Sequence, residues 1–417
     1  MKTDDTAEFE VSPHLAPVPR ISLQAFCESP ELASTISEAA SDRRMDKAHV
    51  KVHMGGAPAA IEAFRNSPTP NVIVLEADEN PEALYNQLEE LSHFCDSGTK
   101  VMIVGAHNDI ALYRSLMSRG VSDYLVMPLS VLDFIGSVSR LYAHESGDSL
   151  GRIIAFVGAK GGVGSSTLAH NVAWSIARSY EMQTVIVDLD LPFGTAGLDF
   201  NQDPPQGVAD AVYAPDRVDA NMLDRLLTKC SDHLSLLAAP ATLEKTADFS
   251  EGAFDVVFDV LRQSVPCIIA DVPHLWTDWS KRLLTIADEV VVVASPDLAN
   301  LRNAKSMLDL LRAARPNDHL PRLIINGSGV QKRPEIEIAE FAKAVDLQPL
   351  LTIPFDPKLF GTATNNGQMI AEVEATNKTA ESFVDIGRIL MGRSEIKKSK
   401  KGILANPLLA KLLRKAS

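Results

Sequence analysis

A glycine-rich loop between a short apolar run and a helical pattern constrains the fold of this chain more than any other feature. The apolar run covers residues 151–157, the loop reads GAKGGVGSST over residues 158–167, and helical periodicity continues from Leu168 to about Arg178. Glycines let a backbone curl tightly and approach a ligand. Backbone N–H groups at a helix N-terminus favour di- or triphosphates. The sequence therefore predicts an α/β domain with a phosphate-binding loop, and a glycine-rich turn without a ligand is the alternative.

The loop departs from the usual P-loop pattern G-x-x-x-x-G-K-[ST] at two positions. Ala159 stands in place of the first glycine, and Ser165 stands in place of the lysine. A charged hydrogen bond to a phosphate contributes roughly 1.5–3 kcal/mol, so its loss weakens binding by roughly 10- to 150-fold. We therefore expect nucleotide binding with slow or absent hydrolysis.

Polar residues follow three further apolar runs. Asp188 and Asp190 end the run that begins at Thr184, Asp271 ends the run that begins at Cys267, and Asn326 follows residues 322–325. Carboxylates at strand ends beside a P-loop hold Mg²⁺, often through water. An amide can donate to and accept from the edge of adenine at the same time. The pattern predicts a site for ATP and Mg²⁺, although a lone acid at a strand end is common at protein surfaces.

The loop and these strand ends, taken in order, resemble the ParA/MinD family of P-loop proteins. The resemblance implies that Lys160 reaches across a dimer to the partner's nucleotide and that Asp190 positions the attacking water, and these are the two expected catalytic residues. It also implies that Ser166, Asp190 and Asp271 hold the metal. The expected nucleotide-binding residues are Lys160, Gly161, Gly162, Val163, Gly164, Ser165, Ser166, Thr167, Asp188, Asp271, Asn326 and Pro354.

The first third of the chain alternates strand and helix patterns. Apolar runs begin at Ile21, Val50, Val72, Val101 and Tyr124, and a helical pattern follows each of them. Five such units predict a flavodoxin-like, doubly wound parallel sheet. The order and spacing resemble the receiver domain of two-component systems.

The receiver chemistry is absent from this segment. Glu76 stands where a receiver has its phosphate-accepting Asp, Met127 stands where it has Lys, and the first strand ends in the apolar residues 25–27. Without the acids no hard cation is held. We therefore expect a docking or dimerisation module, and a plain flavodoxin-like domain would lead to the same expectation.

A receiver-like domain followed by a ParA/MinD-type domain with a mostly parallel sheet resembles the CpaE/TadZ family of Flp (Tad) pilus assembly proteins. The predicted layout is a disordered segment at residues 1–19, a receiver-like domain at 20–145, an ATP-binding domain at 151–391 and a basic tail at 393–417. The resemblance implies a spatial organiser, acting as a nucleotide-linked homodimer with pilus secretion machinery proteins as partners. A DNA-binding partitioning ATPase and a signalling response regulator are the alternatives.

The charge distribution separates the tail from the rest of the chain. Residues 393–417 carry eight Lys or Arg and one Glu, a net +7, which leaves −21 for the rest of a chain whose total is −14. An acidic body argues against non-specific DNA binding, which needs cations to neutralise phosphates. The leucines at 408, 409, 412 and 413 form an apolar stripe flanked by cations. This pattern favours peripheral contact with a membrane or a partner's groove, and a solvated tail is the alternative.

No apolar run reaches the ~18 residues that a membrane span requires. The acidic first ten residues also lack the apolar core of a secretory signal. We therefore expect a cytoplasmic protein. The family resemblance implies a place at a cell pole, and the basic tail favours peripheral contact with the inner membrane.

Overall fold

The structure is a computed structural model that describes residues 15–77, 81–96, 98–143, 150–240 and 248–392. The predicted basic tail at 393–417, residues 1–14 and most of the linker lie outside the described residues. Two parallel sheets dominate the rest. The predicted α/β class, with a receiver-like sheet followed by a ParA/MinD-type sheet, is confirmed.

The N-terminal sheet has five parallel strands in the order β2-β1-β3-β4-β5. Its strands are β1 (Ser22–Cys27), β2 (His49–Met54), β3 (Val72–Glu76), β4 (Lys100–Gly105) and β5 (Asp123–Val126). Its helices are α1 (Pro30–Ala40), α2 (Gly56–Phe64), α3 (Pro81–Ser92), α4 (Ile110–Ser118) and α5 (Val131–Ala143), with a 3-10 turn at Arg43–Met45.

The C-terminal sheet has eight strands in the order β13-β12-β11-β6-β10-β7-β9-β8. Its strands are β6 (Arg152–Gly158), β7 (Thr184–Asp188), β8 (Thr228–Lys229), β9 (Leu234–Leu237), β10 (Cys267–Val272), β11 (Glu289–Ala294), β12 (Arg322–Ser328) and β13 (Leu351–Pro354). All neighbours pair in parallel except β8 and β9, an antiparallel hairpin at one edge that the sequence pattern did not reveal.

Within the described residues of this half, eleven helices cover or flank the sheet. They are α6 (Ser165–Tyr180), α7 (Ala196–Asp199), α8 (Val208–Val212), α9 (Ala220–Leu226), α10 (Asp255–Ser264), α11 (Asp278–Ile286), α12 (Leu298–Ala314), α13 (Ile338–Val345), α14 (Pro357–Asn366), α15 (Ile370–Val373) and α16 (Lys378–Leu390), and a 3-10 turn lies at Pro215–Arg217.

The central strands are apolar through their middle residues because helices cover both faces of the sheet. In β6, Ile153 and Ala155 enter one hydrophobic core, whereas Ile154 and Phe156 enter the core on the opposite face. This alternation follows from the two-residue period of a strand. It also explains why β6 reads as a continuous apolar run in the sequence.

Residues 15–19 belong to the described part of the chain, and Val18 among them is buried. Val18 is 1% exposed, lies in the core of the N-terminal sheet, and donates its backbone N–H to Arg44 O at 2.8 Å. The prediction of disorder is therefore wrong at Val18, because packing against the domain outweighs the proline-rich local sequence.

The two sheets meet through the loops at the amino-terminal ends of their strands. Arg43, in the turn that precedes β2, binds Asp318, in the loop that precedes β12, with Nε 2.5 Å from Oδ2. Arg43 also donates to Ile286 O at 3.0 Å, at the end of α11. Lys47 pairs with Asp259 on α10. The strands run in parallel, so the loops that follow them all lie at their carboxyl ends. The phosphate loop after β6 is therefore on the opposite side of the sheet from this contact.

Further charged groups reinforce the contact between the two halves. Arg44 pairs with both Asp42 and Asp318. Arg282 on α11 bridges Asp255 and Asp46, at 2.7 and 2.9 Å. Breaking a buried ion pair costs free energy because it leaves an uncompensated charge. The buried pairs therefore hold the two halves in one arrangement.

Candidate functional site

The loop after β6 has the backbone geometry of a phosphate cradle. Gly162 and Gly164 have φ angles of +78° and +85°, in the left-handed region that favours glycine. A Cβ added to Gly161 or Gly162 would meet no atom within 4 Å. The backbone at these two glycines therefore borders open space, directly before the first turn of α6.

Ser165, at the position of the usual P-loop lysine, is the first residue of α6. Its Oγ is buried and has no hydrogen-bond partner in the part of the chain that the structure describes. A buried polar atom without a partner is costly, and a ligand oxygen would remove that cost. This orphaned hydroxyl, together with the free N–H groups of a helix start, fits a bound phosphate.

Side chains from three later segments hold carbonyl groups of this loop. The Nδ1 of His274 donates to Gly158 O at 2.8 Å, and Asn303 Nδ2 donates to Ala159 O at 2.9 Å. Asn326 Nδ2 donates to Val163 O at 2.8 Å.

Asn326 lies in β12 and its side chain contacts the phosphate loop. A Cβ on Gly164 would come within 2.6 Å of Asn326 Nδ2, so only glycine fits there without a shift. One amide donor is therefore engaged by the protein, and the role of Asn326 at the adenine edge stays a prediction. Pro354 ends β13, where it pairs in register with Ser328 on the neighbouring β12. Its contact with the base also stays a prediction.

Lys160 is exposed at the tip of the loop. It lies close enough to Asp297 to act on that carboxyl group. Burial raises the pKa of Asp297, but hydrogen bonds from Asn300 and the charge of Lys160 outweigh it and lower the pKa. The ammonium group is thus at the surface beside the phosphate loop, where another molecule could reach it.

The predicted acids converge beside the loop because β10 lies between β6 and β7. Asp188 and Asp271 are register partners on β7 and β10, and they are 0% and 2% exposed. Asp188 accepts hydrogen bonds from the backbone N–H groups of Asp190 and Ala196, each at 3.1 Å. Asp190 accepts from Phe193 N at 3.2 Å. Asp188 therefore holds the loop after β7 in place.

Burial governs the protonation of these acids. Burial first, and then the nearby charge of Asp271, raise the pKa of Asp188 to about 7. Burial also raises the pKa of Asp190. A positive ligand beside them would favour their charged forms.

His170 is a site residue that the sequence analysis missed. It lies on α6, four residues after Ser166, and is 0% exposed. Burial lowers its pKa, but the hydrogen bond to Asp199 and the contact with Asp271 outweigh burial and raise the pKa to about 10. The raised pKa favours the charged imidazolium form among these carboxylates.

The donor set fits Mg²⁺ bound together with a nucleotide. No group of three or more His, Cys, Asp or Glu side chains among the described residues forms a metal site by itself. Mg²⁺ in phosphate-binding sites takes one or two protein oxygens and completes its shell with phosphates and water. Ser166 and Asp271, beside the open loop, are hard oxygen donors of this kind.

Glu76 of the N-terminal domain binds the backbone of its own domain. Its Oε2 accepts from the N–H groups of Glu28 and Ser29, at 2.6 and 2.8 Å, at the start of α1. A carboxylate at a helix N-terminus is stabilising. Glu76 thus ties the end of β3 to α1.

None of the helices within the described ranges has the length and hydropathy that a bilayer-spanning segment requires.

Comparison with known proteins follows the same division of the chain. The family described as AAA domain matches residues 151–320. The septum site-determining protein MinD of Bacillus subtilis is 25% identical over 275 residues, 61% of this chain and 96% of MinD. A ParA family ATPase of Chlorobium tepidum is 26% identical over 58% of this chain and 98% of its own, with a TM-score of 0.51.

The pilus assembly protein CpaE of Caulobacter crescentus is 47% identical over 31% of this chain and 99% of the CpaE chain in its crystal structure, with a TM-score of 0.30. Sequence identity at this level, over nearly all of that CpaE chain, shows the family. The chain therefore belongs to the CpaE-type group of the ParA/MinD P-loop family.

Proposed function

We propose that this chain binds ATP with Mg²⁺ at residues 160–167 and acts as a nucleotide-linked homodimer that organises pilus assembly in space, with weak or absent hydrolysis. The observation that carries the nucleotide part is the buried, unpartnered Ser165 Oγ beside the open backbone at Gly161 and Gly162. The MinD and ParA relatives support the choice of nucleotide, since a Pyrococcus horikoshii MinD was solved as a complex with Mg-ADP.

Each residue of the site has a defined role in this proposal. Ser166 and Asp271 would hold Mg²⁺, with Asp190 beside them. A bound Mg²⁺ would neutralise phosphate charge. Asp188 fixes the loop that carries Asp190, and Asp190 orients water.

Residues around the base and the phosphates complete the site. Asn326 and Pro354 would border the base, and the N–H groups from Gly161 to Thr167 would contact the phosphates. Ser165 supplies a hydroxyl in place of an in-loop ammonium group. We therefore expect hydrolysis to be weak.

The dimer part of the proposal is supported by the surface around the loop. Phe193, Trp276 and Leu298 follow β7, β10 and β11, and they are 73%, 50% and 73% exposed. Exposed apolar side chains grouped around a site mark a contact surface. The N-terminal domain occupies the opposite edge of the sheet, so this face remains accessible to a second copy, with Lys160 on it.

The biological role rests on the relative from Caulobacter crescentus, a pilus assembly protein at 47% identity. We propose Tad (Flp) pilus secretion proteins as partners of this chain. We also propose a place in the cytoplasm, at a pole or at the inner membrane surface, to which the basic residues 393–417 contribute.

The N-terminal domain acts in this proposal as a docking module. The carboxylate of Glu76 already accepts two backbone hydrogen bonds, and Met127 offers no cation for a phosphoryl group. Incubation with labelled acetyl phosphate should leave the protein unlabelled. Stoichiometric labelling would instead support a response regulator.

The proposal is tested by titrating the full chain into a fluorescent ATP analogue, with Mg²⁺ and with EDTA, and by measuring mass by light scattering in the same solutions. We expect saturable binding that Mg²⁺ strengthens, and a shift from monomer to dimer mass when nucleotide is present. Absence of binding at millimolar nucleotide would reject the proposal. Deletion of the gene in its host should remove surface pili, and normal piliation would reject the biological role.

A further inference from the structure

His170 connects two acidic segments of the site through its two ring nitrogens. Nδ1 lies 2.7 Å from Asp199 Oδ2 and Nε2 lies 3.3 Å from Asp271 Oδ2. His170 is 0% exposed and the Asp199 side chain is 11% exposed, so solvent contributes little to holding the ring. The ring of Phe200, with its centroid 5.8 Å away, packs on the same side of α6.

The two acids belong to different elements of the fold. Asp271 lies in β10 and is one of the acids expected to hold the metal. Asp199 ends α7, the short helix that follows the loop of Asp190. His170 itself lies on α6, whose first turn forms part of the phosphate loop. One side chain therefore joins the phosphate-loop helix, the metal-side acid and the segment after β7.

Groups that contact a metal ligand from behind determine where its oxygens lie. Their removal typically lowers metal affinity by about 10- to 100-fold. A carboxylate free to rotate must be ordered when the metal binds, whereas one already held by a neighbouring side chain is not. Nε2 lies 3.3 Å from Asp271 Oδ2, an ion-pair distance without hydrogen-bond geometry, and the hydrogen bond between Nδ1 and Asp199 fixes the ring that makes this contact.

We propose that His170 is a positioning residue that orients the Asp271 carboxylate toward Mg²⁺ and couples it, through Asp199, to the segment that follows Asp190. This inference rests on the proposed function, because it concerns how the same site gains its metal. It adds a residue that lies outside the phosphate loop and that touches neither the nucleotide nor the metal.

Two substitutions separate the two sides of the ring. Asn places its amide nitrogen near the position of Nδ1, so His170→Asn keeps a donor for Asp199 and loses the group that faces Asp271. Gln places its amide nitrogen near the position of Nε2, so His170→Gln keeps a polar group that faces Asp271. The readout is the ratio of the Kd for a fluorescent ATP analogue in EDTA to its Kd in Mg²⁺, which isolates the contribution of the metal.

We expect His170→Asn to reduce this ratio about tenfold, with an unchanged Kd in EDTA. His170→Gln should keep a ratio close to that of the wild type. The matched control is His233→Asn, which removes a histidine beside Gln183, at the amino edge of the sheet, and should leave the ratio unchanged. If His170→Asn does not fold, Asp199→Asn is measured in the same way and should also lower the ratio.

The inference would be overturned if His170→Asn kept the Kd ratio of the wild type, or if it lost the same affinity in EDTA as in Mg²⁺. It would also be overturned if His170→Asn and His170→Gln lowered the Kd ratio equally. An unchanged ratio in Asp199→Asn would overturn it where that variant replaces His170→Asn. Failure of the wild-type protein to bind nucleotide would instead reject the proposed function, so the two failures are distinguishable.

Discussion

Arg43 and Asp318 form an ion pair across the boundary between the two halves of the chain, with Nε 2.5 Å from Oδ2 and both side chains 6% exposed. Asp318 also accepts from Arg315 Nε at 2.8 Å and pairs with Arg44. Burial raises the pKa of Asp318, but the charge and hydrogen bond of Arg43 outweigh burial and lower the pKa. A single carboxylate therefore joins cations from both halves.

Arg43→Ala should lower the free energy of unfolding by roughly 1.5–3 kcal/mol, since Asp318 loses the charged hydrogen bond from Arg43 while it keeps Arg44 and Arg315. Chemical denaturation followed by circular dichroism measures this. The control is Arg65→Ala, which removes a half-exposed cation from a pairing with Glu62 and Glu90. It should cost less than about 1 kcal/mol. Equal costs for the two variants would contradict a structural role for the boundary contact.

Acid should weaken the same contact. The pKa of Asp318 is lowered in the folded chain, so its contribution to stability is present above the ordinary Asp pKa, about 3.9, and is lost as the pH falls through the lowered value. The difference in unfolding free energy between wild type and Asp318→Asn should therefore shrink below pH ~4. Denaturant titrations from pH 7 to pH 3 measure it. A difference that stays constant over this range would show that Asp318 is not held by charge.

Lys160→Ala should abolish ATP-linked dimerisation while leaving the monomer folded, because an exposed ammonium group at the loop tip is replaced by a methyl group. Light scattering with and without nucleotide measures the mass. Lys229→Ala is the matched control, since Lys229 is 69% exposed on the β8–β9 hairpin at the edge of the sheet. Dimerisation of the Lys160→Ala variant at wild-type nucleotide concentration would exclude a contact across the dimer.

Ser165→Lys should strengthen nucleotide binding by roughly 10- to 150-fold, since it restores a charged hydrogen bond to phosphate at the usual position. Titration with a fluorescent ATP analogue provides the Kd. Ser165→Ala, which removes the orphaned hydroxyl and adds no charge, is the comparison and should not strengthen binding in this way. Equal affinities of Ser165→Lys and wild type would mean that this loop does not hold phosphates as proposed.

Local patterns were enough to predict the fold class and to locate the glycine-rich loop between β6 and α6. The apolar run of β6 and the glycines after it are adjacent in sequence, and Asp188 and Asp271 lie at or next to the ends of apolar runs that form β7 and β10. Asn326 likewise follows an apolar run, in β12. Its hydrogen bond to Val163 O was not predicted, because the partner lies 163 residues away.

Contacts that depend on the packing of distant segments were not predictable from the sequence. His170 occupies an ordinary position in an amphipathic helix, and only the fold brings Asp199 and Asp271 to its two nitrogens. Arg43 and Asp318 are 275 residues apart and read separately as surface charges. The β8–β9 hairpin was missed because β8 has two residues, too few to show a strand period.

The amino-edge contact between the two halves has a geometric consequence for any assembly built on the phosphate loop. The N-terminal domain packs at the amino-terminal ends of the strands of the C-terminal sheet, on the side opposite Lys160. Two copies that joined through their phosphate-loop faces would therefore carry these domains at the far ends of an elongated particle. Each end could then engage its own ligand without steric competition from the other. Such a particle would bridge two identical targets, and its spacing would be set by two rigid bodies rather than by a flexible tether.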